Sequence, residues 1–362
     1  MHKNTNGDPG TLTKYSDAIL DATIAEMGLD EKVLVLGLDV DDHKGIQGTT
    51  IGLHKRFGKE RCFTTPLSED AMTGVAIGLA MAGYRPIHVH IRMDFLLLCM
   101  NQLVNMAAKA HYTYSGQVKV PLVIRCMIGR SWGQGAQHSQ ALHALPMHIP
   151  GLKVVAPSNA YTAKGILRAA IRDDNPVICV EHRLLYNTKT YIPKHEYQIE
   201  IGKAQVMRKG NDITVVAISH MVLETLRAAE ALDSLGISVE VIDPISLSPL
   251  DIESIAMSVQ KTKNLLVVDN AWTTCGAASE IITSIIEKTQ TTTKSLAYNY
   301  GRIGFADSTC PTTSSLENYF YPNPTSISEK ICEMLGTKIT KSIRELMSET
   351  NDNEINAFKG PF

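Results

Sequence analysis

A glutamate at the start of a helix is the residue of this chain best suited to proton-transfer chemistry. Glu69 follows Thr65-Pro66-Leu67-Ser68, where an apolar run ends and a helix of small residues begins. A carboxylate there is poorly solvated, which raises its tendency to hold a proton and suits it to proton transfer. The simpler interpretation is a first-turn acid behind a Ser68 N-cap, favoured by the helix dipole. The residue types alone leave both interpretations open.

An aromatic ring and a histidine further along the chain could act beside such a carboxylate. Phe95 opens an apolar run, where a phenylalanine is usually an ordinary core residue. His138 lies in a glycine-containing stretch, 133–140, where it could protonate a developing oxyanion. Most lone histidines are structural. His88 and His90 would share one face of a strand, so a metal pair there is conceivable.

Alternating strands and helices must position these residues. The predicted buried strands of the first half are Val33–Leu38, Pro86–Ile91, Val120–Arg125, Lys153–Ala156 and Pro176–Glu181. The helix Ala71–Gly83 is too rich in glycine for an ordinary surface helix, and its small residues predict close packing. Such alternation predicts parallel strands covered on both faces by helices.

The second half repeats this theme after a polar stretch. Residues Tyr186–Lys209 contain proline and glycine and are typical of a linker. Beyond them, predicted strands alternate with predicted helices in the order Ile213–Ile218, Val222–Leu235, Ser238–Ile242, Asp251–Val259 and Asn264–Val268. The predicted fold class is therefore α/β, with two doubly wound, mostly parallel-sheet domains. The polar C-terminal tail contains an amphipathic helix candidate, Ile339–Met347.

Composition argues against several classes of function. The net charge is -2, and lysine and arginine are scattered, so nothing favours nucleic acid as a partner. No apolar run is long enough for a membrane span. Seven scattered cysteines without a Cys-x-x-Cys pair argue against zinc and indicate reduced thiols. The polar N-terminus has no signal-peptide core, so we expect a cytoplasmic location.

Several segments, by their order and spacing, resemble the β subunit of two-subunit 2-oxo acid dehydrogenase E1 enzymes, such as pyruvate dehydrogenase E1 β. These segments are Leu67–Glu69 with Gly74, Ala82–Ile87, Gln137–Gln140 and Pro150–Pro157. The family uses thiamine diphosphate (ThDP), and the resemblance runs from about Leu34 to about Leu335. It implies a ThDP pyrimidine-binding domain at 16–195 and a transketolase C-terminal-like domain at 196–336. Polar tails at 1–15 and 337–362 complete the predicted organisation.

The resemblance also assigns roles to individual residues. Glu69 matches the catalytic carboxylate that hydrogen bonds the pyrimidine ring, and His138 matches a second catalytic residue. Phe95 matches an aromatic residue that stacks on the pyrimidine, and Ile91 lies beside it as a further cofactor contact. With the resemblance, we favour these roles over the structural alternatives. Gln137 is a substrate-binding candidate.

Half of the cofactor site is missing from the sequence. The family binds the diphosphate through Mg²⁺ with a Gly-Asp-Gly motif followed by an asparagine, and this chain has no such motif. The resemblance therefore implies an α-type E1 subunit that holds Mg²⁺ and the diphosphate in an α2β2 heterotetramer. A lipoyl acyltransferase is a further candidate partner.

Some members of the family bind K⁺ after a helix that corresponds to residues 160–171. The matching positions here are Leu122, Ala170, Ile171, Asp173 and Asn175. Carbonyl ligands leave no side-chain signature, and a helix-terminating turn before Pro176 explains the same residues. Both interpretations stay open.

Departures from the family pattern concern the substrate. Leu38 stands where the family usually has a glutamate, and Arg92 replaces a polar residue of the usual pattern. Arg92 is a substrate-binding candidate that could grip a carboxylate or phosphate with two hydrogen bonds. The alternative is a salt bridge to Asp94 or to a partner subunit.

The predicted function is decarboxylation of a 2-oxo acid such as pyruvate, with transfer of the acyl group. The alternative is a ThDP-dependent two-carbon acyl or ketol transferase, similar to transketolase, that acts on a sugar or another acceptor. A third reading is a non-catalytic β-like subunit, against which the joint presence of Glu69, Phe95 and His138 argues. Fold alone cannot separate these activities.

Overall fold

A computed structural model of the chain describes residues 10–129, 133–290 and 298–341, without the side chains of Gln290 and Ser314. These residues form two compact units. The first unit contains residues 10–129, 142–201 and 246–249, and the second contains 133–141, 202–245, 250–290 and 298–341. The chain therefore passes between the units more than once.

Strands and helices alternate through the described residues. The strands are β1 (Thr11–Lys14), β2 (Val33–Gly37), β3 (Cys62–Thr64), β4 (Arg85–His90), β5 (Val123–Ile128), β6 (Lys153–Val155), β7 (Val177–His182), β8 (Lys189–Ile192), β9 (Gln205–Arg208), β10 (Ile213–Ala217), β11 (Val239–Asp243), β12 (Ser246–Ser248), β13 (Asn264–Trp272) and β14 (Asn299–Phe305). The helices are α1 (Tyr15–Leu29), α2 (Leu53–Phe57), α3 (Glu69–Met81), α4 (Ala108–Thr113), α5 (Ala144–Met147), α6 (Ala160–Arg172), α7 (Met221–Leu232), α8 (Ile252–Thr262), α9 (Ala277–Gln290), α10 (Ser314–Phe320) and α11 (Pro324–Met334). A 3-10 helix, Met93–Cys99, and a π-helix, Gln102–Ala107, precede α4.

The first unit is built on a sheet with the strand order β12-β6-β7-β5-β4-β2-β3. All neighbouring pairs are parallel except β12 with β6. The central strands β2, β5 and β7 are buried along their whole length, which is typical of parallel strands covered on both faces. Helix α6 starts at an Asn159 capping box and packs against α1.

The second unit repeats the architecture with the strand order β14-β13-β10-β11-β9. Strand β9 is antiparallel to β11, and the remaining pairs are parallel. Its core is formed by the apolar residues of β10, β11 and β13 together with those of α7 and α11. Both units thus confirm the predicted α/β class with mostly parallel sheets.

Several local predictions differ from the structure. Strand β5 begins and ends three residues later than predicted, because the charged Arg125 lies inside the strand and not at its end. The predicted linker Tyr186–Lys209 contains β8 and β9, and part of the predicted N-terminal tail forms β1, which pairs with β8. The helix predicted at Ile339–Met347 lies almost entirely outside the described residues.

The glycine-rich helix α3 differs from its prediction too, because it is a surface helix in this single chain. Ala71, Val75 and Gly78 are exposed along one side of α3, and an added Cβ at Gly74 or Gly78 would meet no atom within 4 Å. The close packing predicted for these small residues is therefore not made within the chain. Small, exposed residues on one helix side leave room for another helix to approach.

Candidate active site

Glu69 is the first residue of α3, and it is half-buried. It follows the carboxyl end of β3, at the edge of the sheet where ligands of open α/β folds bind. Ser68 occupies the N-cap position, but its hydroxyl contacts Asp70 Oδ1 at 3.3 Å and makes no cap hydrogen bond. Glu69 therefore stands in the first turn of α3 behind a residue that does not cap the helix with its side chain.

The helix that carries Phe95 packs against α3. In this 3-10 helix, burial raises the pKa of Cys99 to about 11, the Thr73 side chain opposes the shift, and the charges of Glu69 and Asp70 add to it. Cys99 is thus close enough to the first turn of α3 to sense its carboxylates. Phe95 is 37% exposed, unlike an ordinary core phenylalanine. The Glu69 carboxylate and the accessible Phe95 ring therefore belong to two helical segments that pack together.

Ile91 and Arg92 continue directly from β4. Ile91 is half-buried, whereas Arg92 is only 4% exposed. The Nη1 atom of Arg92 donates a hydrogen bond of 2.9 Å to the carbonyl of Gly129, which directly follows β5. This hydrogen bond joins the residues after β4 to the residue after β5, so Arg92 is fixed at the carboxyl edge of the first sheet.

His138 and Gln137 belong to the second unit, although they precede its strands in sequence. Gln137 is exposed and His138 is half-buried. The backbone of this segment lies against Thr312, because a Cβ added at Gly133 would stand 2.2 Å from the Thr312 carbonyl oxygen. The segment therefore depends on glycine for its close approach.

A tyrosine supports the same segment within the second unit. Tyr321 is buried, and its hydroxyl lies 3.2 Å from Cys310 Sγ. Burial raises the pKa of Tyr321, Cys310 adds to this, and the side chain of Ser139 acts in the opposite direction. Ser139, the residue after His138, is therefore next to the Tyr321 hydroxyl.

The two faces of the first sheet carry different side chains. Tyr15 of α1 stacks on Tyr186, whose hydroxyl donates to Glu181 Oε2 at 2.7 Å. Glu181 accepts two hydrogen bonds from Arg125, at 2.6 and 2.9 Å. These residues therefore lie on the face of the sheet that α1 covers. Because successive side chains of a strand point to opposite faces, only every second residue of β5 lies on this face. The α1 face is the name used below for this side of the sheet.

The opposite face, covered by α3 and the segment Met93–Ala107, carries His88 and His90. Their parallel register beside β5 puts them on the side away from Arg125. The ring centroids are 4.3 Å apart. Burial lowers the pKa of His88 to about 4 and holds that of His90 well below its usual value, with His88 contributing. We call this side the α3 face.

Several carbonyl groups of the predicted K⁺ loop accept hydrogen bonds within the chain. Among the described residues, no group of three or more histidines, cysteines or carboxylates could hold a metal ion. In the predicted K⁺ loop, Arg85 Nη1 donates to the carbonyl oxygens of Ile171 and Asp173, at 3.1 and 3.0 Å. The Leu122 carbonyl accepts from Val177 N, and that of Ala170 accepts from Asp173 N. The Asn175 side chain contacts Asp173 Oδ1 at 3.0 Å.

Two residues of this edge were missed by the sequence analysis. His182 ends β7 and Arg183 follows it, and both are almost fully buried. The available signal was a histidine and an arginine at the end of a buried strand, comparable to Arg92, which stands two residues after β4. No helix among the described residues is long and apolar enough to cross a membrane.

Comparisons with known proteins match two domain families in succession along the chain. Residues 13–189 match the family "Transketolase, pyrimidine binding domain", and residues 202–327 match "Transketolase, C-terminal domain". A solved structure described as "Split gene transketolase, inactive beta4 tetramer" has a TM-score of 0.73 and covers 91% of this chain and 100% of its own. Its sequence is only 20% identical, so it supports the fold alone.

Two curated relatives have similar sequences over most of their length. The pyruvate dehydrogenase E1 component subunit beta of Porphyra purpurea is 46% identical over 271 residues, which are 75% of this chain and 82% of that protein. The acetoin:2,6-dichlorophenolindophenol oxidoreductase subunit beta of Bacillus subtilis (strain 168) is 39% identical over 90% of this chain and 98% of its own. With both domains present in order and near full-length similarity, this chain belongs to the E1 β-subunit family of ThDP-dependent enzymes.

Proposed function

We propose that this chain is the β subunit of a heteromeric enzyme that decarboxylates a 2-oxo acid and transfers the acyl group. The observation that carries the proposal is the pairing of Glu69, at the start of α3, with the accessible ring of Phe95 on the adjoining helix. A carboxylate and an aromatic ring fit the pyrimidine end of ThDP. Pyruvate is the first donor to test, because one relative is named for it.

The protein side chains would contribute binding, orientation and proton transfer. Bound ThDP supplies an electron sink for the electrons left when carbon dioxide departs. Glu69 would exchange a proton with a ring nitrogen, Phe95 would stack on the ring, and Ile91 would contact its edge. By the family resemblance, His138 would donate a proton to a substrate oxygen, and Gln137 would hydrogen bond the substrate.

An α-type subunit would supply the other half of the site. The chain lacks the Gly-Asp-Gly motif for Mg²⁺ and diphosphate, so these would be held by the partner in an α2β2 assembly. The exposed side of α3, with Val75 and the open space at Gly78, supports such a partner. Exposed apolar side chains at Leu67, Leu97 and Leu98 extend this surface. A lipoyl acyltransferase would then accept the acyl group.

We separately propose a bound K⁺ at the loop after α6. It would share the carbonyl oxygens of Ile171 and Asp173 with the Arg85 guanidinium, and like charges repel. The measurement is thermal unfolding in potassium chloride against choline chloride at equal ionic strength. A higher midpoint in potassium supports the site, and equal midpoints reject it.

The main proposal predicts that Glu69→Gln abolishes turnover. The chain is co-purified with its α-type subunit, and ThDP-dependent release of carbon dioxide is measured with a panel of 2-oxo acids. We expect a loss of at least about 100-fold, because removal of a proton-transferring group typically costs that much. Asp70→Asn, at the exposed next residue, is the matched control and should retain activity.

Two results would contradict the decarboxylase proposal. An active Glu69→Gln complex would remove the catalytic role of this carboxylate. No release from any donor, by a complex that binds ThDP, would exclude 2-oxo acid decarboxylation and direct the search to ketol transfer.

A further inference from the structure

A cavity of about 640 Å³ lies in the first unit, and its lining includes none of the candidate active-site residues. Helix α1 supplies an apolar wall that contains Ile24 and Leu29. The other walls carry three arginines, Arg56 of α2 and Arg168 and Arg172 of α6. Cavities of this volume hold small organic ligands. Three arginines beside an apolar wall indicate an anionic ligand with an apolar part.

One buried glutamate of α1 holds two of these arginines in place. The Glu26 Oε1 atom accepts hydrogen bonds from Arg168 Nε, at 2.7 Å, and from Arg172 Nη2, at 2.9 Å. The Oε2 atom accepts a third, from Arg172 Nε at 2.7 Å. Glu26 therefore orients both guanidinium groups, but its single charge balances only one of them.

The second countercharge comes from an exposed carboxylate. Glu196 Oε2 forms an ion pair with Arg168 Nη1, and the two side chains are 67% and 2% exposed. This Nη1 atom is buried and has no hydrogen bond among the described residues. Another anion can replace an exposed carboxylate without leaving the buried guanidinium unpaired. Glu196 therefore occupies the position at Arg168 that a bound anion would take.

The segment that carries Glu196 is attached to α6 by other contacts. The ring of Tyr197 stacks on Tyr161, with centroids 4.7 Å apart, and its hydroxyl donates to the Tyr161 carbonyl at 2.9 Å. The backbone N–H of Ile199 donates to the Gly165 carbonyl at 3.1 Å. The Glu196 side chain can thus leave Arg168 while its backbone stays in place.

Arg56 adds a third guanidinium from a different helix. It is exposed, and its Cζ atom lies 5.4 Å from the centroid of the Phe57 ring. Its guanidinium makes no hydrogen bond or ion pair within the part of the chain that the structure describes. The Arg172 side chain is 42% exposed, so it is also accessible from solvent. An anion in the cavity would therefore meet donors from both α2 and α6.

A phosphate group fits these donors better than a carboxylate does. Arginine binds phosphate with paired, charge-assisted hydrogen bonds. A phosphate monoester has three acceptor oxygens and about 1.5 to 2 negative charges near neutral pH. A carboxylate has two oxygens in one plane and a single charge. Three guanidinium groups with one buried countercharge, Glu26, match the larger charge of the phosphate.

We propose that Arg56, Arg168 and Arg172 bind the phosphate of a small phosphorylated molecule, which takes the place of the Glu196 carboxylate. The apolar wall of α1 contacts the rest of this molecule. The site shares no residue with the candidate active site, so this inference does not depend on the proposed reaction.

The test is calorimetric titration of the full-length chain with four probes. Phenyl phosphate carries a phosphate and an apolar ring, inorganic phosphate lacks the ring, phenol lacks the phosphate, and benzoate has a carboxylate instead. We expect one phenyl phosphate per chain, weaker binding of inorganic phosphate and benzoate, and no binding of phenol. Arg56→Gln should weaken the binding of phenyl phosphate about tenfold or more, because it removes charge-assisted hydrogen bonds.

Glu196→Gln tests the exchange of one anion for another. It should tighten the binding of phenyl phosphate by roughly two- to fivefold, because the ion pair that competes for Arg168 is removed. Lys55→Gln and Glu200→Gln are the matched controls, since each removes one charge at an exposed position outside the cavity lining. Both controls should leave the affinity unchanged. All the substituted residues are exposed, so the variants should fold like the wild type.

Binding of phenyl phosphate that Arg56→Gln weakens and only Glu196→Gln tightens would confirm the site. The absence of binding by both phosphate compounds overturns it, as does an affinity that Arg56→Gln leaves unchanged. Equal tightening by Glu196→Gln and Glu200→Gln would show a general effect of charge and overturn the exchange at Arg168. Tighter binding of benzoate than of phenyl phosphate would overturn the assignment to phosphate.

Discussion

The two faces of the first sheet are built in different ways. On the α1 face, buried charges meet buried countercharges: Arg125 pairs with Glu181, and Arg168 Nε contacts Glu26 at 2.7 Å. On the α3 face, His88 Nδ1 and His90 Nε2 are buried without a hydrogen-bond partner among the described residues. The helix above them exposes small and apolar residues to solvent.

This difference separates what stabilises the chain from what serves its partners. Buried charges that are paired with buried countercharges belong to a surface that is finished within one chain. Buried polar atoms without partners and an exposed apolar helix side belong to a surface that is completed by other molecules. Substitutions on the α1 face should therefore change folding, and those on the outer side of α3 should change assembly.

The largest expected effect is on the α1 face. Glu181→Gln leaves the Arg125 guanidinium buried beside a neutral amide, and it should lower the free energy of unfolding by roughly 3–5 kcal/mol. Urea denaturation followed by circular dichroism measures the change. Glu253→Gln, in an exposed pair with Lys288, is the control and should cost at most about 1 kcal/mol. Equal effects of the two variants would contradict the comparison.

A smaller effect is expected beneath α3, and it depends on pH. Burial lowers the pKa of His88 to about 4, whereas an unfolded histidine titrates near 6.5. Between these values the unfolded chain binds more protons, so stability should fall by about 1–3 kcal/mol as the pH falls from 6.5 towards 4.

The matched variant is His88→Phe, which keeps a buried ring and removes this titration. Its unfolding free energy should depend less steeply on pH over this window, as measured by denaturation at a series of pH values. His43→Gln, at an exposed position, should leave the wild-type slope unchanged. An unaltered slope in His88→Phe would mean that this histidine is not kept neutral by burial.

The smallest effect on folding is expected at the exposed side of α3. Gly78→Ala should stabilise the isolated chain by roughly 0.5–1 kcal/mol, because alanine is the better helix former and the space is open. Gly78→Leu should weaken assembly with the α-type subunit about tenfold or more, measured by analytical ultracentrifugation.

Gly28 provides the control for size. It lies in α1, an added Cβ there meets nothing within 4 Å, and it belongs to the other side of the sheet. Gly28→Leu should leave assembly unchanged. Assembly weakened equally by both leucine variants would show that bulk alone, and not the face of the helix, decides the outcome.

Sequence patterns predicted the fold class because buried parallel strands leave continuous apolar runs. Where the pattern failed, the cause was a tertiary contact or pairing that local sequence does not show. Arg125 interrupts such a run, yet it belongs inside β5 because Glu181 lies on the neighbouring strand. Strands β1 and β8 are short, polar and partly exposed, so periodicity does not distinguish them from loops.

The candidate site was predictable only where its residues are local to a motif. Glu69 could be predicted from its position between an apolar run and a helix. The roles of Phe95 and His138 could be predicted only with the family resemblance. The attachment of the 133–141 segment to the second unit depends on its approach to Thr312, far away in sequence. No periodic pattern encodes such a long-range contact.

The path of the chain has a consequence for how this protein can be divided. Residues 133–141 of the second unit are inserted between stretches of the first, and residues 246–249 of the first are inserted between stretches of the second. A single break at residue 201 would leave the His138 segment on one fragment and the strands of its own unit on the other. Recombination of whole domains at that point would also remove β12 from its sheet. The two units are interleaved along the chain, so a division that keeps both intact would need more than one break.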